Sequence, residues 1–179
     1  RGLSLFEFTF ERLKDHFARA LANSYEVLTC EQFALKDSSS LTQRTLVNRV
    51  DIDVSPRRAL RIAEIFNELG IRGTFFVRLH AREYNPLQFE AYRCLKAIRD
   101  SGHEIGLHTE TLDGAAIWGE DPETVFRRDL RTLETAFGIK VRGTASHGGL
   151  TGLNNLDFWK SRVPAQFDLL YEAYDTQPR

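Results

Sequence analysis

Apolar and polar residues alternate strictly through "NRVDIDVSP", residues 48–56, where Val50, Ile52 and Val54 interleave with Asp51 and Asp53. Period two is a strand signature, and residues two apart share a face. Leu46–Asp53 is therefore predicted as a strand, with two carboxylates on one side. Ser55-Pro56 follows as an N-cap with proline at the first helical position. Ala59, Ile62, Ala63, Phe66 and Leu69 then recur at helical spacing, and Gly70 ends the stripe. The alternation of element types repeats downstream. "GTFFVR" (Gly73–Arg78) is a strand. Leu87, Ala91, Cys94, Leu95 and Ile98 mark a helix closed near Gly102, and "HEIGLH" (His103–His108) is a strand. Asp121-Pro122 opens a helix carrying Phe126, Leu130, Leu133 and Phe137, with Gly138 after it. Ile139–Thr144 is predicted as a further strand.

Three strand–helix units of about 30 residues, with no hairpin turns between strands, imply parallel strands joined by crossover helices. That is a (β/α) barrel or a doubly wound sheet, and both place chemistry at the C-terminal ends of the strands. The first 45 residues read as an N-terminal extension: a helix over Glu11–Asn23, a short strand over Tyr25–Leu28 and a polar loop, "KDSSSLTQR". The last residues, "FDLLYEAYDTQPR", read as a fifth strand. One domain over 1–179 is expected, with its motifs in 46–150.

Composition narrows the partners. Of 179 residues 42% are hydrophobic and 27% charged, enough for one core, and the net charge is −1 without a long basic run. Nothing recommends a nucleic acid or an anionic membrane, and no apolar stretch approaches the ~20 residues that span a bilayer. Cys30 and Cys94 have no CxxC or metal spacing, so they are expected to be reduced core thiols of a cytoplasmic protein. The chain begins at Arg1 rather than Met, which leaves room for an upstream segment.

The chemistry collects at the predicted strand ends. Asp51 and Asp53 close the first, Arg78 and His80 follow the second, and His108, Thr109 and Glu110 close the third. Ala145-Ser146-His147-Gly148-Gly149 follows the fourth. Carboxylates and imidazoles converging on one rim are ligand chemistry for a divalent metal such as zinc. An aspartate at a strand end ordinarily caps the next helix, but Ser55 already serves there. His103 reads as a satisfied core or surface group rather than a ligand. His108 shares its face with Gly106 and Glu104, opposite Ile105 and Leu107.

"RVDIDVSP", "IRGTFFV", "GHEIGLHTE" and "KVRGTASHGG", in that order, resemble the motif series of the polysaccharide deacetylases, metal-dependent carbohydrate esterases. The resemblance spans roughly residues 46–150. It implies a deformed (β/α) barrel of about seven strands, incomplete in this chain. It also implies a zinc-like ion on an Asp-His-His set and hydrolysis of an acetyl group. Matched residue by residue, the family's metal-binding aspartate falls on Asp53 and its first histidine on His108. The family's base falls on Ile52, leaving Asp51 as the nearest carboxylate on the right face. The second histidine falls on Leu112, so Glu110 or His147 must supply the third ligand. The arginine that orients the base falls on Ala145, leaving Arg49, Arg78 or Arg142 as substitutes. A divergent branch associated with surface-glycan biosynthesis, such as that of O-antigen, is similar in its D-x-D, "GHEIGLH-x-E" and His-Gly motifs. In that branch His147 is the better ligand, with Glu110 beside it. The family's late motifs, which include the leaving-group acid, would normally follow Arg179, so the chain is expected to be a fragment or to lack that acid, with His80 as the alternative donor. The rival expectation is a barrel that has lost catalysis and serves as a glycan-binding or assembly module.

Overall fold

The computed structural model describes residues 8–174. The chain runs α1 (Phe10–Ala22), β1 (Glu26–Leu28), α2 (Cys30–Leu35), β2 (Thr45–Val47), β3 (Arg49–Ile52), α3 (Pro56–Glu68) and β4 (Thr74–Val77). It continues α4 (Phe89–Asp100), β5 (Glu104–Thr109), α5 (Thr111–Trp118), α6 (Pro122–Phe137), β6 (Gly143–Ser146) and β7 (Tyr171–Glu172), with short 3-10 turns at Ser38–Ser40, Asn155–Ser161 and Pro164–Phe167. The fold is mixed α/β with parallel sheets, as the crossover spacing predicts.

Strands β3-β4-β5-β6-β7 form one all-parallel sheet in sequence order, and β1 and β2 form a separate parallel pair. The predicted strand Leu46–Asp53 is thus two strands in two sheets. Asn48 is the changeover: its N–H donates to Leu28 O (2.8 Å), its carbonyl accepts from Thr74 N (2.9 Å), and its side chain donates to Arg72 O. β6 begins at Gly143 rather than Ile139, because Ile139 still hydrogen-bonds back to Glu134 at the end of α6. At the C-terminus β7 keeps two residues of the longer strand expected there, and 175–179 lie outside the described residues.

The two sheet faces are chemically different. Ile52, Phe75, Val77, Ile105 and Leu107 point outward and bury against Ala59, Ala63 and Phe66 of α3, Leu95 and Ile98 of α4, and Phe126, Leu130, Leu133 and Phe137 of α6. Those helices begin at the predicted caps: Ser55 Oγ accepts from Arg58 N, and Asp121 accepts from Thr124 N. Leu87 departs from its predicted stripe. It is exposed in a turn closed by Asn85, and α4 starts two residues later behind Gln88. The inner face carries Phe76, Ala145 and Tyr171 with Cys30 of α2. Here Glu104 accepts from Thr74 Oγ1 and Tyr171 Oη (both 2.5 Å) and from Glu31 N (3.0 Å), so a half-buried polar network joins α2 to the sheet. Both cysteines are free and buried, and burial pushes the Cys30 thiol up to about 11, which keeps it protonated and inert. Among the described residues no helix is long and apolar enough to cross a membrane.

Candidate metal centre

Parallel strands bring all their C-terminal ends to one edge, and the inner-face residues there are Asp51 on β3, Asp53 just beyond it and His108 on β5. Their facing is fixed by hydrophobicity: Ile52 and Leu107 bury outward, so the alternating neighbours must turn inward. His147 arrives from the loop after β6, and its N–H donates to Thr109 O (2.8 Å).

These side chains converge. Asp53 Oδ1 lies 3.4 Å from His108 Nε2 and 3.7 Å from His147 Nε2. One ligand atom from each of the three lies within 4.8 Å of the others. Four ligands about 2.0–2.1 Å from a tetrahedral zinc are separated from one another by about 3.4 Å, so the spacing fits a shared ion. Burial agrees: Asp53 Oδ1 and His147 Nδ1 are buried atoms without a hydrogen-bond partner. A buried carboxylate oxygen left bare is costly unless a cation or donor completes it.

His108 is prepared to act as a ligand. Its Nδ1 is 2.8 Å from Ala145 O, which can only accept, so Nδ1 carries the proton and Nε2 presents its lone pair to the centre. Burial holds the imidazole below its ordinary pKa, favouring the neutral, ligating form. Ala145, where the resemblance has an arginine, thus contributes through its backbone.

Asp51 is differently placed. Arg49 grips both its oxygens (Nε–Oδ1 3.2 Å, Nη2–Oδ2 2.7 Å), and Oδ2 stands 3.8 Å from His108 Nε2. Arg49 itself lies over the Phe76 and Tyr174 rings and reaches Ala173 O at 3.5 Å. The arginine that neutralises the carboxylate therefore sits on the same strand, two residues before it.

Glu110 is buried at the N-terminus of α5. Its Oε1 accepts from Arg78 Nη2 (2.6 Å) and faces His147 Nδ1 at 3.7 Å, while its Oε2 has no partner. Arg78 also approaches Glu83 at 3.9 Å. His80 does not join the cluster. It pairs with the buried Asp129 of α6 (2.9 Å) and meets the edge of Trp118, and Asp129 raises its pKa. Arg142 is not brought to this edge. It precedes β6, at the opposite end of the parallel strands, and binds Glu31 there (3.1 Å). Leu112 packs into the outer apolar cluster.

Sequence pattern alone missed three residues here. Tyr84 donates to Ile52 O and accepts from Arg78 N, latching the ends of β3 and β4. Asp113 and Asn155 anchor the loop that bears His147. No periodicity marks them; Asp113 lies in α5, which the apolar pattern does not announce.

No protein-family model and no curated protein sequence matches this chain. Among solved structures it is similar in fold to IcaB from Ammonifex degensii, with a TM-score of 0.57 and 17% sequence identity. That likeness covers 90% of this chain and 76% of the other.

Proposed function

We propose that the protein is a metal-dependent hydrolase of the polysaccharide deacetylase type, built on that family's (β/α) barrel. On this reading it removes the acetyl group from an N-acetylated sugar of a surface polysaccharide or its precursor. The observation that carries the reading is the convergence of Asp53, His108 and His147 at metal-ligand spacing, with the ion-paired Asp51 beside them. The motif series supports the same reading, and the fold likeness to IcaB is compatible with it.

A zinc-class divalent ion held by these three residues would supply Lewis acidity to the amide carbonyl and make water acidic enough to attack near neutral pH. Asp51 takes a proton from the attacking water, and Arg49, bonded to both of its oxygens, keeps that carboxylate aimed. The C–N bond breaks as the amine nitrogen gains a proton, giving acetate and a free amino sugar. We assign that proton to His80, in the loop after β4 and outside the ligand cluster, where Asp129 favours its charged form. Glu110 and Arg78 flank the centre where they can hold His147 or meet the sugar.

Two measurements test this together: metal content of the purified protein, and acetate release from N-acetylhexosamine oligomers with zinc, cobalt or nickel added. The expected result is about one equivalent of metal and metal-dependent release. Absence of both would overturn the reading, and glycan binding without either would favour the non-catalytic module.

A further inference from the structure

The loop that delivers His147 has no regular structure, yet it is tied down by two buried polar side chains. Asn155 is fully buried. Its Nδ2 donates to His147 O (3.1 Å) and to Asp113 Oδ2 (2.8 Å), and its Oδ1 accepts from Leu112 N (2.9 Å) and Asp113 N (3.1 Å). Asp113 is buried in α5 and has no cation among its partners. Its carboxylate accepts from Leu150 N (2.9 and 3.0 Å), from Thr151 N (2.8 Å) and from Thr151 Oγ1 (2.7 Å). The loop also folds tightly on itself, since a Cβ at Gly149 would overlap the Leu153 carbonyl.

We propose that Asp113 and Asn155 are positioning residues for the His147 imidazole. This rests on the metal-centre reading above. A buried carboxylate satisfied only by neutral donors is an expensive way to hold a surface loop, and apolar packing would do it more cheaply. What a hydrogen-bonded anchor adds is a fixed backbone path. His147 is held at its N–H by Thr109 O and at its carbonyl by Asn155, leaving little beyond its side-chain torsions free. The helix that carries Leu112 where a second histidine would stand thus serves the centre indirectly. One residue further on, Asp113 clamps the loop that brings the replacement imidazole.

Cobalt(II) titration of the whole chain tests this, read by calorimetry and by visible absorption, which reports the ligand set. Asp113→Asn turns an NH₂ group toward the loop donors. It is expected to weaken cobalt binding about 10–100-fold and to move the spectrum toward that of His147→Ala, with far-ultraviolet circular dichroism unchanged. Should Asp113→Asn fail to fold, Thr151→Val decides the matter. It removes one hydroxyl donor, and a several-fold loss of affinity is expected. Wild-type affinity and spectrum in a folded Asp113→Asn or in Thr151→Val would overturn the positioning role. A wild-type chain that takes up no cobalt would instead overturn the metal-centre reading, and this role with it.

Discussion

At the scale of single residues, the two aspartates of the D-x-D pair have different surroundings, and these predict different losses. Asp51 has both oxygens on Arg49, whereas Asp53 keeps a buried oxygen bare between two imidazoles. Asp53→Asn should therefore abolish tight metal binding. Asp51→Asn should keep the metal and lower kcat by roughly 10²-fold or more, the usual contribution of a general base. Metal content and acetate release on both variants check this, and loss of metal from Asp51→Asn would make it a ligand instead. His80→Gln separates the proton donor from the centre: kcat is expected to fall about 10²-fold while metal affinity stays within twofold. Asp51, Asp53 and His108 were legible in the sequence because inward facing follows from alternation with Ile52, Ile105 and Leu107. The partners were less so. Period two already sets Arg49 on the Asp51 face, but that Arg142 stands at the far end of the strands on Glu31 follows only from the tertiary arrangement.

Among the elements, boundaries and the short helix α5 escaped the pattern for a common reason. α5 is "TLDGAAIW", whose buried residues are Thr111, Asp113, Gly114 and Ala115, so polar contacts hold it rather than an apolar stripe. β6 is "GTAS", four small or hydroxylated residues that no strand propensity singles out. Its placement comes from tertiary space: Gly143 pairs with Tyr171 of β7, and a Cβ there would fall inside the tyrosine ring. Gly143→Ala should therefore push Tyr171 off its Glu104 hydrogen bond and loosen β7. Overpacking of this kind costs about 1–3 kcal/mol, read as a lower urea midpoint with an unchanged slope. A wild-type midpoint would mean that the ring has somewhere to go.

For the molecule as a whole, the outer core couples the sheet to its helices, and one titratable group sits in that seam. His103 is buried at the start of β5 against the Phe66 and Phe75 rings. Its Nε2 donates to Ala63 O of α3 (3.2 Å), and its Nδ1 accepts from Gly73 N ahead of β4 (3.2 Å), so the neutral ring ties three elements together. Burial pushes its pKa down to about 4, against about 6.5 in an unfolded chain. Because the folded value is the lower one, the unfolded state binds more protons between the two. The stabilisation is complete above pH 6.5 and is lost as pH falls toward 4, by up to about 3 kcal/mol. Protonation would also set a new N–H against the Gly73 amide that Nδ1 now accepts from. His103→Gln cannot titrate, so its stability should fall less steeply than wild type between pH 7 and pH 5, whatever its absolute value. Urea unfolding of both chains across that range measures the difference. Parallel pH profiles would mean that the ring meets water in the folded state, and that the seam between sheet and helices is not sealed at His103.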